Sequence, residues 1–335
     1  MVIETARPRR FWTALAFCAA AAVAALFVLP LVGPARIDYG RALSGLSPDA
    51  EILFYARLPR VLAGLLAGGA LAATGALFQA LLRDALAEPY TLGVSSGASL
   101  GAVIAMTAGW REVAGLPAVW ISALGCAAVV LVLVLALASE GRRLSSFTLL
   151  LSGITVNSIC LAGILFLQYF ADFGQSFAIV RWLLGGLDGI EYRALAWLAA
   201  LIFPYAAYLT YKARDWNLLS IGEEWAAARG VATGRLMLAG YLAGSLVVGS
   251  LTSLTGPIGF VGLIVPHALR VRLGADHRVL IPCSFLLGGV FLAACDTLAR
   301  TLLAPTELPV GVITALAGGP FFLWLLRSRR RSLWL

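Results

Sequence analysis

Serine and histidine residues in this sequence occur in a pattern that could support nucleophilic catalysis. Residues 93–97 read GVSSG and match the G-x-S-x-G elbow that carries the nucleophile of serine hydrolases. His267, one of only two histidines, could act as the general base. The elbow requires a β-strand before the serine, and no strand pattern precedes residue 93. An intramembrane hydrolase that uses Ser95 or Ser96 with His267 therefore stays open as an alternative.

Phosphate and metal chemistry lack the motifs they need. A phosphate-cradling loop ends in Gly-Lys-Ser/Thr, but the only lysine, Lys212, lies between Tyr211 and Ala213. The five cysteines lie within apolar runs without a CxxC pair, and no group of His, Cys or Met resembles a metal relay. The sequence therefore predicts a chain that is not an ATPase and holds no metal or cofactor of its own.

An acidic residue inside a membrane span could couple transport to an ion. Asp296 is the acidic residue that the sequence places well within a predicted span, and Arg300 follows four residues later. Residues four apart on a helix face each other, so an ion pair between them is the simpler expectation. An ion-coupled secondary transporter remains the second alternative.

The elements that position these residues are predicted to be membrane-spanning helices. Of the 335 residues 61% are hydrophobic and 13% are charged, against about 25% charged residues in soluble domains. A run of roughly 20 apolar residues crosses a bilayer as a helix. No polar stretch is long enough to bury a core, so we expect one all-α domain over residues 1–335. The ten predicted spans are approximately 11–32, 58–82, 92–109, 116–139, 147–170, 192–211, 236–255, 258–273, 279–299 and 309–326.

Basic residues predict the orientation of these spans. The chain has 24 arginines and one lysine, and ten spans place both termini on the same side. Seventeen of the basic residues then fall on the side of the termini and eight on the other. Lys and Arg accumulate in cytoplasmic loops, so both termini are predicted to be cytoplasmic.

The cytoplasmic loop at about 213–233 has the composition of a short helix. Asp215, Glu223 and Glu224 come early, Arg229 comes late, and Gly230 follows. Acidic residues near the start, a basic residue near the end and a closing glycine suit the helix dipole and a glycine cap. We expect a helix that either docks into a groove of a partner or rests at the headgroups.

Four stretches closely resemble the FecCD family of ABC importer permeases. They are RLPR at 57–60, GALFQALLRDALAEPYTLGVSSGA at 75–98, GPIGFVGLIVPH at 256–267 and ELPVG at 307–311. The resemblance covers about residues 11 to 330, with the motifs in the family's order. It implies a transmembrane permease domain of ten helices with the architecture of the vitamin B12 permease, a type II ABC importer.

The resemblance also implies partners and a cargo. The family's permease forms a homodimer around a central path in the bacterial inner membrane. Two cytoplasmic ABC ATPase subunits, which hold ATP and Mg, drive it, and one periplasmic binding protein delivers the cargo. The cargo is an iron-siderophore, haem or cobalamin, taken up as an intact chelate, and no nucleic acid is involved.

The resemblance also implies roles for individual residues. Arg57, Arg60 and Arg300 match arginines that dock the binding protein, and they lie on the side that the positive-inside bias should deplete; headgroup anchoring is the simpler alternative. The residues that match the ATPase-coupling segment are Asp215, Gly222, Glu223, Glu224, Ala227, Arg229 and Gly230.

A gate and a path complete the implied sites. Ser146 and Phe147 match the cytoplasmic gate, although the family's gate has a small polar residue where this chain has Phe147. Thr155, Asn157 and Gln168 are the candidates to line the path, because polar groups inside a span face protein or water. The hydroxyl of Thr155 could equally bond its own helix backbone.

Overall fold

The computed structural model describes residues 8–113, 115–140 and 143–329. Arg7, Arg142, Arg330 and Arg331, which contribute to the predicted orientation, lie outside these ranges. The described helices are α1 Pro8–Val28, α2 Tyr39–Leu43, α3 Asp49–Glu51, α4 Leu58–Leu82, α5 Val94–Thr107, α6 Ala118–Ala138, α7 Ser146–Phe170, α8 Phe173–Leu183, α9 Tyr192–Tyr211, α10 Ala213–Ile221, α11 Glu223–Ala228, α12 Thr233–Thr255, α13 Val261–Leu273, α14 His277–Thr301 and α15 Val310–Arg329.

Short helical turns and two small hairpins complete the described chain. The turns are 3-10 helices at Leu29–Leu31 and Pro89–Leu92 and a π-helix at Ile52–Arg57. Strand β1 Glu112–Val113 pairs antiparallel with β2 Leu116–Pro117, and β3 Ser139–Glu140 pairs antiparallel with β4 Arg143–Leu144. Each hairpin only closes a loop next to α6, so the helices determine the architecture.

Seven segments of the described chain are long and apolar enough to cross a membrane. They comprise α1, the continuous segment of residues 49–82 that ends in α4, α6, α7, α9, α12 and α14. The other three predicted spans correspond to α5 with 14 residues, α13 with 13 residues, and α15, whose apolar part is Val310–Leu323. The predicted all-α, multi-pass fold class is confirmed, and the number of membrane helices is close to ten.

Helix α4 lies at the centre of the fold and packs closely on α14. A Cβ atom on Gly68 would lie 2.3 Å from the carbonyl oxygen of Gly288, and one on Gly64 would lie 2.9 Å from the Cα of Ala293. Small residues are what allow two membrane helices to approach this closely. The 25 residues of α4 extend about 37 Å at 1.5 Å per residue, so Arg60 and Arg83 lie at opposite ends of the fold.

Two irregular segments meet beside α4, within the thickness of its span. One is the loop before α5, and the other is residues 256–260 before α13. Gly262 at the start of α13 packs against Pro89 of the loop and against Gly75 of α4, where a Cβ atom would lie 1.9 Å from the Gly262 oxygen. Gly75 lies seven residues before the end of α4, which is about 10 Å along the helix. The start of α13 and the loop before α5 therefore lie beside the body of α4 and not beyond its end.

Candidate functional site

The predicted coupling segment forms two short helices where the sequence predicts one. Gly222 separates α10 from α11, so the two helices do not form a continuous rod. Gly230 closes α11 with a left-handed φ of 84°. Its N–H donates to the Ala227 oxygen at 2.9 Å and the N–H of Val231 donates to the Ala226 oxygen at 3.1 Å, which is a Schellman cap.

Helix α10 is anchored to the transmembrane helices by buried side chains. Trp216 is fully buried and packs on α12, where a Cβ atom on Gly240 would lie 2.8 Å from its ring. Asn217 donates to the Asp276 carboxylate at 2.8 Å and accepts from the backbone N–H of His277 at 2.8 Å. Any movement of α10 therefore acts directly on the start of α14.

Asp276 is the charged centre of that anchor. Burial alone would raise its pKa, but hydrogen bonds from Arg278 and Asn217 hold the pKa of Asp276 below its usual value. Arg278 completes the pairing at 2.7 Å. The carboxylate thus stays ionised at neutral pH and keeps α10 attached to α14.

Helix α11 is more accessible than α10. Glu224, Ala227, Arg229 and Gly230 are exposed, and the ring of Trp225 is 66% exposed. Asp215 of α10 pairs with Lys212 at 3.0 Å, which is a local contact at the start of that helix. A cavity of about 450 Å³ is lined by residues of α11, by Arg83 and Leu144, and by the first turns of α12. This face leaves room for a partner's side chains.

The structure brings the predicted gate and the predicted coupling segment together. Ser146 Oγ, at the start of α7, lies 3.1 Å from the Leu81 oxygen and 3.4 Å from Glu223 Oε1 of α11, and its single proton can be donated to either oxygen. The same Glu223 oxygen accepts from Arg83 at 3.0 Å. Phe147 points away from this contact and is 74% exposed. Glu223 therefore joins the ends of α4 and α7.

The three polar path candidates lie along α7. Thr155 and Asn157 are exposed and Gln168 is partly exposed. The Thr155 hydroxyl donates to the Leu151 oxygen at 2.9 Å, which is the local backbone bond anticipated as its simpler role. Their part in a translocation path stays a prediction.

The three predicted docking arginines cluster at the other end of α4, and two of them are buried. Arg57 is 4% exposed and donates to the Pro30 and Leu31 carbonyls, each at 3.4 Å. Arg300 is 2% exposed and donates to the Leu29 carbonyl at 3.1 Å. The family resemblance implies charges that face the periplasm, but these two side chains hold the segment after α1. Their docking role stays a prediction.

Arg60 is the arginine of the three with two carboxylate partners. Its Nε lies 2.9 Å from Asp296, and its Nη1 lies 2.7 Å from Glu307. The expected pair between Asp296 and Arg300 is looser, at 3.8 Å. Asp296, the acidic residue considered for ion coupling, is thus held mainly by Arg60, and this pair links α14 to α4.

The hydrolase alternative is not supported by the geometry around its serines. A 3-10 turn, Pro89–Leu92, precedes α5 in place of the strand that a nucleophile elbow requires. The Ser95 hydroxyl lies 3.1 Å from that of Thr252, and the Ser96 hydroxyl donates to the Gly93 oxygen at 2.7 Å. His267 packs edge-on against Phe321.

Sequence reasoning missed a clasp between the two irregular segments. The Glu88 carboxylate accepts from the backbone N–H of Phe260, and the Tyr90 hydroxyl accepts from the N–H of Ile258. Phe260 has a left-handed φ of 70°, which is uncommon for a residue with a bulky side chain. Both stretches belong to motifs noted in the sequence, but nothing in either motif indicates that they touch.

Comparison with known proteins gives a consistent picture. Residues 10–328 match the FecCD transport family. The hemin transport system permease protein of Yersinia pestis is 39% identical over 82% of this chain and 83% of its own length. The cobalamin import system permease protein of Halobacterium salinarum is 43% identical over 82% of this chain and 72% of its own. An inward-facing structure of a proposed metal-chelate type ABC transporter superposes with a TM-score of 0.82 at 29% identity, covering 95% of this chain and 99% of the other.

Proposed function

The chain belongs to the FecCD transport family, and on that premise we propose that it is the permease subunit of an ABC importer that carries an intact metal chelate into the cytoplasm. It is a multi-pass membrane protein. ATP hydrolysis belongs to a separate subunit in this proposal, so the chain is not itself an enzyme and needs no cofactor of its own.

The contact between Glu223 and Ser146 is the observation that supports the proposal best. It joins an exposed cytoplasmic helix, α11, to the first residue of a membrane-spanning helix, α7. An importer requires such a connection, because the energy is released in the ATPase and the movement is needed in the membrane. A helix that only rests at the headgroups has no need of it.

The relatives suggest the class of cargo. One similar permease is named for hemin and others for vitamin B12 or cobalamin, which are metal complexes of large organic ligands. The polar candidates on α7, Thr155, Asn157 and Gln168, are uncharged, which suits weak contact with a bulky chelate. We infer an iron-siderophore, cobalamin or haem as the cargo.

The finer assembly follows the family pattern. We propose a homodimer in the bacterial inner membrane with both termini cytoplasmic. Two ABC ATPase subunits that bind ATP and Mg dock on the coupling segment, and one periplasmic binding protein docks at the opposite end of α4. At that end of α4, Arg60 pairs with Glu307, whose side chain is partly exposed.

Reconstitution tests the proposal. The chain and its proposed ATPase and binding-protein partners are placed in proteoliposomes, and uptake of cobalamin, hemin and a ferric siderophore is measured with and without ATP. We expect ATP-dependent uptake of one chelate class, and no ATP hydrolysis by the chain alone, because a phosphate loop with its lysine is missing from the sequence. Hydrolysis by the isolated chain, or uptake driven by an ion gradient without ATP, would overturn the proposal.

A further inference from the structure

Among the three arginines at the outer end of α4, Arg60 differs in what holds it. Arg57 and Arg300 are buried and bonded to backbone carbonyls of the segment after α1. Those carbonyls are part of the fold and cannot leave without rearranging it. Arg60 is instead held by two carboxylate side chains, Asp296 and Glu307. A carboxylate from another protein could therefore replace a partner of Arg60, but not the backbone carbonyls that hold Arg57 and Arg300.

The two carboxylates around Arg60 are not equivalent. The Asp296 side chain is 1% exposed and its 2.9 Å contact is enclosed between α4 and α14. The Glu307 side chain is 43% exposed and contacts the outer nitrogen of the guanidinium at 2.7 Å. Water can solvate the Glu307 carboxylate when it leaves, while Asp296 remains paired with the largely covered Arg60 guanidinium. Glu307 is therefore the partner that can be exchanged, whereas the enclosed Asp296 is not.

The backbone around Glu307 is fixed while its side chain is accessible. The N–H of Thr306 donates to the Leu303 oxygen at 2.9 Å, and the N–H of Leu308 donates to the Ala299 oxygen at 3.0 Å. These bonds lie on either side of Glu307 and attach the loop to the end of α14. A rotation of the Glu307 side chain away from Arg60 therefore requires no unfolding of the loop.

We propose that Glu307 occupies the position beside Arg60 that a carboxylate of the periplasmic binding protein takes during docking. Docking then replaces the Glu307 carboxylate with a carboxylate of the partner. This inference rests on the proposed function. The partner is an acidic surface, because a guanidinium keeps its positive charge and can pair with a second carboxylate on the side away from Asp296. Arg60, with its side chain 12% exposed, is largely covered in this structure and becomes available only to a competing acid.

The exchange has a measurable consequence. Glu307 competes with the partner, so removing its charge should strengthen docking although a carboxylate is lost from the permease. Because the Glu307 partner of this pair is partly exposed, we expect a gain of about two- to fivefold in affinity. The gain should shrink as salt is raised, because both the competition and the docking contact are electrostatic.

The experiment measures binding of the periplasmic binding protein to the assembled transporter at low and high salt. The variants are Glu307→Gln, Glu307→Asp, and Glu51→Gln as the matched control. Glu51 is an exposed glutamate at the same end of the fold, before Arg57, and its change alters the net charge equally. We expect Glu307→Gln to bind about two- to fivefold more tightly at low salt, with Glu307→Asp and Glu51→Gln close to the wild type.

Each other result overturns the inference in a recognisable way. Equal gains for Glu307→Gln and Glu51→Gln would mean a general charge effect. Weaker binding by a correctly assembled Glu307→Gln variant would mean that Glu307 orients Arg60 for the partner and does not compete with it. Failure of the wild type to bind would instead overturn the proposed function, and this inference with it.

Discussion

Glu223 and Arg83 form an ion pair of 3.0 Å that links the first residue of α11 to the residue that ends α4. Arg83 has a left-handed φ of 55°, so the backbone leaves the helical path at this residue. Its side chain contacts Glu223. The same carboxylate lies 3.4 Å from the Ser146 hydroxyl. One side chain on an exposed helix thus contacts two helices that run through the membrane.

Neutralising Glu223 should uncouple hydrolysis from uptake. Glu223→Gln keeps a side chain of the same size but removes the charge that pairs with Arg83. Both partners are partly exposed, so we expect a moderate effect, about two- to fivefold less cargo per ATP hydrolysed. Hydrolysis and uptake are measured together in proteoliposomes. Glu224→Gln, an exposed neighbour, is the control, and an unchanged ratio in both variants would mean that the pair is only structural.

Proline substitutions in α11 should separate two positions that the sequence alone treats alike. A single helix ending at Gly230 would place Glu224 in its interior, but the structure has Glu224 as the second residue of α11. Proline is tolerated in a first turn, where the N–H has no helical partner, and costs about 3 kcal/mol further in. We expect Ala227→Pro to abolish uptake and Glu224→Pro to retain most of it, with both variants still in the membrane. If both variants keep uptake, α11 is not a coupling element.

Local features of this protein were predictable, and long-range contacts were not. The spans follow from runs of apolar residues, and the end of α11 follows from Gly230, because a left-handed residue after a helix favours glycine. Glu223 and Ser146 are 77 residues apart, and Arg60 and Asp296 are 236 apart. Patterns within a short stretch of sequence do not predict contacts between residues this far apart.

The burial of two arginines shows a second limit of sequence reasoning. The partners of Arg57 and Arg300 include backbone carbonyls, which every residue possesses, so no residue type in the sequence points to them. A charge reversal there would place a carboxylate among carbonyl oxygens and disturb the fold. Docking is therefore tested better at Glu307 and Arg60 than by reversing all three arginines.

Gly75 should be intolerant of any side chain. Its Cβ would lie 1.9 Å from the oxygen of Gly262, so Gly75→Ala must separate α4 from the start of α13. Such overpacking typically costs about 1 to 3 kcal/mol. We expect a lower thermal midpoint in detergent and a lower yield of folded protein. Gly125→Ala is the matched control, because no atom lies within 4 Å of its added Cβ; comparable stability of the two variants would contradict the close packing.

Glu88 is a second acidic residue whose role can be tested, either as the acceptor for the Phe260 N–H or as a group that binds and releases a proton. Its carboxylate accepts the N–H of Phe260 at the break before α13. This contact is partly buried, so leaving the N–H unpaired costs less than the about 1 to 3 kcal/mol of a fully buried site. Glutamine retains a side-chain oxygen that can accept the same bond, whereas alanine does not. We expect Glu88→Gln to support ATP-driven uptake near the wild-type rate, and Glu88→Ala to lower both the thermal midpoint and uptake.

A proton-coupled carrier would behave in the opposite way, because a residue that binds and releases a proton cannot be replaced by an amide. Uptake and thermal midpoint are therefore measured for both variants over a range of pH. If Glu88→Gln loses uptake while its thermal midpoint matches the wild type, Glu88 acts through its charge and not as an acceptor for Phe260. If Glu88→Gln and Glu88→Ala are equally impaired in stability, the bond requires an ionised carboxylate, because a neutral oxygen in the same place has failed to replace it.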